Sequence, residues 1–143
     1  MRPIVCATRG GEVSRRTQDR AVALAKEREV ELIFLCVVDP GFAELANETL
    51  AATLADELER LGKSLLSIAQ ARARKQGVVA RTVIRSGPAW ENIKEYVRQV
   101  DAGALIIGAS KPSSTPRAFG SGDVHHLAET VREATGVEAI VVT

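Results

Sequence analysis

Five short apolar runs, PIVCAT (3–8), ELIFLCVV (31–38), VARTVI (79–84), GALIIGA (103–109) and EAIVV (138–142), are separated by segments whose apolar residues recur at helical spacing. Most of these runs are nearly continuous, the pattern of strands buried on both faces. Between them, Ala21, Leu24, Ala25 and Arg28 make one face of a first helix, and Leu54, Leu58, Leu61, Leu65 and Ile68 make that of a long second. Trp90, Ile93, Val97 and Val100 mark a third helix, and Val124, Leu127, Ala128 and Val131 a fourth. Each pair of strands is thus joined by a segment too long for a tight hairpin, which implies right-handed crossovers and a parallel sheet with helices on both faces. The expected architecture is a doubly wound α/β sandwich. No linker or low-complexity tract interrupts the chain, so residues 1–143 read as a single domain.

Composition narrows the function classes. With 45% hydrophobic and 26% charged residues and a net charge of +1, the chain is neither disordered nor strongly drawn to nucleic acid. Phe34, Phe42, Trp90, Tyr96 and Phe119 belong to different segments and form no stacking platform for bases. Cys6 and Cys36 each sit inside an apolar run, without redox or zinc spacing, and read as buried small hydrophobes. No stretch approaches the ~18 apolar residues of a membrane span and the first residues lack a signal peptide's longer apolar region, so the cytoplasm is the expected location.

In open α/β sheets ligands bind outside the carboxyl ends of the strands, where the strand order reverses. That rule selects the loops after the first and fourth strands, TRGGEVSRRTQD (8–19) and GASKPSSTPRAFGSGDV (108–124). The first offers Gly10 and Gly11 for a tight exit and Ser14 or Thr17 as N-caps; the second combines glycines, hydroxyl residues and the charges Lys111 and Arg117. A glycine loop opening a helix can present backbone N–H groups to phosphate, with the positive end of the helix dipole behind them. The same composition also makes plain surface loops, and both readings stay open.

The order of these segments resembles the universal stress protein family: IVCATRGGE stands where the family has a strand ending in V-D-G-S, followed by LIFLCVVDP, SGPAWENI, DAGALIIGAS, a glycine-rich loop, a helix and EAIVV. The resemblance spans essentially the whole chain. It implies a five-stranded parallel sheet of order 3-2-1-4-5, a homodimer joined through the last strand and, in one branch, bound ATP on a loop of the form G-x2-G-x9-G-[ST]. Gly108 matches the first glycine of that loop. Lys111 stands at the second, and the last pair falls either at Gly120 and Ser121, one residue early, or at Gly122 and Asp123, one residue late, with Val124 following as the first apolar residue of the helix.

Arg9 occupies the place of the aspartate that ATP-binding members associate with nucleotide and metal. A guanidinium has N–H donors and no acceptor, so it cannot ligate magnesium. Ala7, Val38 and Ile107 remain as the backbone and apolar surroundings of an adenine ring. Two binding readings result. In the first, the motif is degenerate, ATP binding is weak or lost, and the protein acts in regulation through dimerisation and a protein partner. In the second, Arg9 and Lys111 take over from the metal and clamp ATP, AMP or another phosphorylated ligand directly, Arg as a fork and Lys as a point charge. No metal site is expected.

Catalysis has little support. The chain lacks G-x-S-x-G, G-x4-G-K-[ST] and H-E-x-x-H, leaving a slow nucleotide hydrolase as the only enzyme reading carried forward. His125 and His126, adjacent at a helix start, point about 100° apart and suit capping or solvation better than metal binding. The helix over FAELANETLAATLADELERL (42–61) is expected to cover the sheet rather than seat a partner, and Trp90 to lie in the core or at a dimer edge. EAIVVT ends the chain as an apolar strand at a sheet edge, where a second copy can pair.

Overall fold

In the computed structural model, which describes residues 2–8, 12–38, 48–108 and 124–142, each apolar run forms a strand. The strands β1 (Ile4–Ala7), β2 (Leu32–Val38), β3 (Ala80–Ser86), β4 (Ala104–Gly108) and β5 (Glu138–Val142) alternate with α1 (Glu12–Arg28), α2 (Glu48–Lys75), α3 (Ala89–Gln99) and α4 (Val124–Thr135). They form one sheet of order β3-β2-β1-β4-β5, parallel at every pairing. The doubly wound fold is the one expected. β2 and β4 are buried along their whole length, which is why their sequences carry no polar alternation.

Strand alternation sorts the core into two layers. Ile4, Cys6, Phe34, Cys36, Val38 and Ile106 pack with α1 and α2, whereas Val5, Leu35, Val37, Leu105 and Ile107 pack with α3 and α4. In α1 the expected face is buried at Ala21, Leu24 and Ala25, joined by Val22. Arg28, counted on that face from spacing, is exposed and pairs with Glu138 at 3.1 Å. α3 buries Ile93 and Val97 with Trp90 and Val100 partly covered, and adds Tyr96. No helix among the described residues is long and apolar enough to cross a membrane.

Two expectations are corrected. Ser14 and Thr17 do not cap a helix: α1 already begins at Glu12, and both lie inside it, buried. Most of the stretch 8–19 is therefore helix rather than loop. The leucine stripe assigned to α2 holds in part: Leu54, Leu58 and Leu65 pack on the core, but Leu61 and Ile68 are 47% and 58% exposed, and Leu66, Ala69 and Ala73 are buried instead. Small residues face the sheet because α2 lies close to it. A Cβ on Gly62 would come within 2.8 Å of Ile84 Cδ1 and 3.4 Å of Cys36 Sγ. The helix covers the sheet as expected, but on a face chosen by closeness rather than by the largest side chains.

Both cysteines are buried free thiols in the α1/α2 layer. Loss of solvation disfavours their thiolates. The Cys6 thiol is raised far above its ordinary value, and that of Cys36 is pushed up to about 12. Neither is a nucleophile near neutral pH.

Candidate functional site

The strand order reverses between β1 and β4, with β2 and β3 on one side and β5 on the other. At that point β1 is the shortest strand. It stops at Ala7, opposite Leu35 and Ile107, while β2 continues to Val38 and β4 to Gly108. In such sheets ligands sit in the notch outside the carboxyl ends of the strands at the switch point, here those of β1 and β4.

Of the residues expected in a site, Ala7 and Ile107 are direct cross-strand partners in the α3/α4 layer, and Gly108 closes β4 beside Val142. Val38 belongs to the opposite layer, and its carbonyl oxygen accepts the Gly87 amide at 2.9 Å. Ala7 and Ile107 can therefore meet one ring together, whereas Val38 flanks the notch from the α2 side. Val124 begins α4, whose first turn carries no acidic residue among the described residues. Arg9, Lys111, Gly120, Ser121, Gly122 and Asp123 lie outside the described residues.

A polar chain that spacing did not reveal ends at Thr8, at the carboxyl end of β1. Thr8, the residue after β1, donates its amide to the Leu35 carbonyl at 2.8 Å, and its Oγ1 accepts from Gln18 Nε2 at 2.7 Å. Gln18 Oε1 in turn accepts from Arg72 Nη1 at 2.8 Å. The other guanidinium nitrogen of Arg72 donates to Asp19 Oδ1 at 3.1 Å, which also receives Gln76 Nε2 at 3.2 Å. Thr8 and Gln18 are buried. The three side chains come from β1's end, α1 and α2, and the only hint in the sequence is polar residues within otherwise apolar helical faces.

On the far side of the notch, the starts of α3 and α4 meet through Trp90 and His126, whose ring centroids are 5.8 Å apart at an interplanar angle of 48°. The histidines are exposed, as expected of a solvated pair, yet His126 has this aromatic neighbour. Among the described residues no group of three His, Cys, Asp or Glu side chains can hold a metal ion. A separate cleft of about 120 Å³, lined by Val38, Ala55, Glu59, Ile84, Arg85 and Ser86, lies between α2 and the ends of β2 and β3. It is below the ~300–1,000 Å³ of pockets that enclose a whole small ligand.

The family profile described as "Universal stress protein family" matches residues 1–142. Universal stress protein YxiE of Bacillus subtilis is 24% identical over 114 residues, covering 74% of this chain and 77% of the relative. Among solved structures, the universal stress protein UspA from Lactobacillus plantarum superposes with a TM-score of 0.79 at 19% identity, covering 99% of this chain and 97% of that one. The universal stress protein from Archaeoglobus fulgidus in complex with dAMP gives a TM-score of 0.65 at 20% identity, covering 100% of this chain and 98% of that one. At these identities the structural likeness establishes the fold, and the profile match over nearly the whole length establishes the lineage: the chain belongs to the universal stress protein family.

Proposed function

We propose that this chain is a regulatory binding protein, not an enzyme, whose β1/β4 notch takes a phosphorylated adenine nucleotide without magnesium. The observation that carries the reading is the switch point of the sheet, where β1 and β4 end side by side with Ala7, Ile107 and Gly108 at their carboxyl ends. Support comes from the structural relative whose solved form is a complex with dAMP. Arg9 follows Thr8 directly in sequence, and Lys111 follows Gly108 by three positions. In this reading both supply the positive charge that a metal would otherwise bring, and the departures from the family's loop motif make binding weaker than an intact motif would give. Replacing Arg9 by Ala tests the clamp: ATP affinity measured without magnesium falls, whereas unchanged affinity refutes it.

The second part of the reading is a homodimer through β5, acting in the cytoplasm on a protein partner. β5 is an edge strand whose Ile140, Val141 and Val142 are only partly buried, an apolar edge that pairing with a second copy would cover. Sedimentation at micromolar concentration is expected to show a dimer, and a monomer contradicts this part.

A further inference from the structure

The polar chain behind the notch has a direction. Arg72 has only donors, so the Gln18 amide must turn its oxygen toward Arg72 and its nitrogen toward Thr8. Thr8 Oγ1 therefore accepts from Gln18 and cannot be that bond's donor. Its own hydroxyl hydrogen remains, and among the described residues no acceptor takes it. Each link thus donates toward the carboxyl end of β1, beginning at a guanidinium that Asp19 holds in place. In a buried setting such bonds polarise one another, so the last hydroxyl is a stronger donor than an isolated threonine.

Resting on the nucleotide reading above, we propose that Thr8 donates a hydrogen bond to a phosphate oxygen of the bound ligand, with Gln18 and Arg72 as positioning residues that aim and polarise it. A structural link alone would need Thr8 only as an acceptor. The relay makes a distinct demand, that the Gln18 position donate to Thr8. Gln18→Glu has nearly the same size and keeps an acceptor for Arg72, but it would accept the Thr8 hydroxyl hydrogen and turn that donor inward.

The probe is ATP in magnesium-free buffer, followed by calorimetry on the full chain. Thr8→Val and Gln18→Glu are each expected to weaken binding about ten- to hundredfold, the range of a hydrogen bond to a charged group. Thr8→Ser, which keeps the hydroxyl, is expected to stay within about threefold of the parent, since the donor to the charged oxygen is retained. The double variant is expected to bind no worse than Thr8→Val alone, because both changes remove one donor. Simple repulsion by the new carboxylate would instead add to the loss and overturn the relay. Equal binding by the parent, Thr8→Val and Gln18→Glu overturns the relay while leaving the nucleotide reading intact. A parent protein that binds no ATP overturns both. If Gln18→Glu does not fold, the contrast between Thr8→Val and Thr8→Ser decides.

Discussion

The two faces of the sheet each bury a hydroxyl and treat it in opposite ways. On the α3/α4 side the Tyr96 hydroxyl is buried with no hydrogen-bond partner among the described residues, while the Arg85 guanidinium lies 5.3 Å from its ring centroid. On the α1/α2 side Thr8 ends a chain of hydrogen bonds that crosses two helices. The first layer packs by bulk and leaves one buried polar atom, the Tyr96 hydroxyl, unsatisfied among the described residues. The second packs by close approach, through Gly62, Ala69 and Ala73, and carries both buried thiols and the polar relay. The difference teaches that the layers have different work. One packs large side chains around Ala7 and Ile107, and the other holds Thr8 at the end of β1 through hydrogen bonds.

Alkali should separate the two layers most strongly. The thiol of Cys36 moves from an ordinary 9.0 in the unfolded chain to about 12 in the folded one. Its folded-state value is raised, so its stabilising contribution is complete below about pH 9 and is lost as pH climbs toward about 12. The loss amounts to as much as ~4 kcal/mol at full titration of that thiol, at ~1.4 kcal/mol per pH unit. Denaturation midpoints measured across this range should fall, and Cys36→Ala should flatten the fall. Parallel slopes for parent and variant would show that the α1/α2 layer is no more alkali-sensitive than its counterpart.

Close approach predicts a smaller, steric effect. Gly62→Leu forces atoms against Ile84 and Cys36 and should cost about 1–3 kcal/mol in urea denaturation. Gly62→Ala should be tolerated, because its nearest obstacle is the flexible tip of Ile84 and alanine favours the helix by about 1 kcal/mol over glycine. An equally tolerated Leu would mean that α2 is not held close.

The smallest effect is the sharpest contrast of the two hydroxyls. Tyr96→Phe removes an unsatisfied group and should be neutral or stabilising by up to about 1 kcal/mol, whereas Thr8→Val leaves Gln18 without its acceptor and should destabilise by about 1–2 kcal/mol. Thermal melts of the two variants moving in the same direction would erase the distinction.

Much of the fold was legible from residues alone. The runs from Ile4, Leu32 and Ala104 are apolar enough to announce buried strands, and the helical spacing of Ile93 and Val97 places α3 correctly. The misreadings share a cause. In α2 the leucine spacing places Leu54, Leu58 and Leu65 correctly but not Leu61 and Ile68, because Gly62, Ala69 and Ala73 share the sheet face where the helix approaches closely, a distance no spacing records. Ser14 and Thr17 looked like caps because hydroxyls favour that position, whereas the helix begins earlier and buries them. Tyr96, an isolated aromatic in the sequence, lies three residues beyond Ile93 on the same buried face. The relay was beyond reach for another reason: Gln18 and Arg72 are 54 residues apart, and only the fold brings them together.

The measurement that bears most directly on the account is a calorimetric titration of the nucleotide-free protein with ATP, run with and without magnesium. Saturable binding that does not need the metal is the predicted result, with Arg9 and Lys111 supplying the charge at a notch backed by Thr8. Absence of binding in both conditions, or binding that appears only with magnesium, would contradict it.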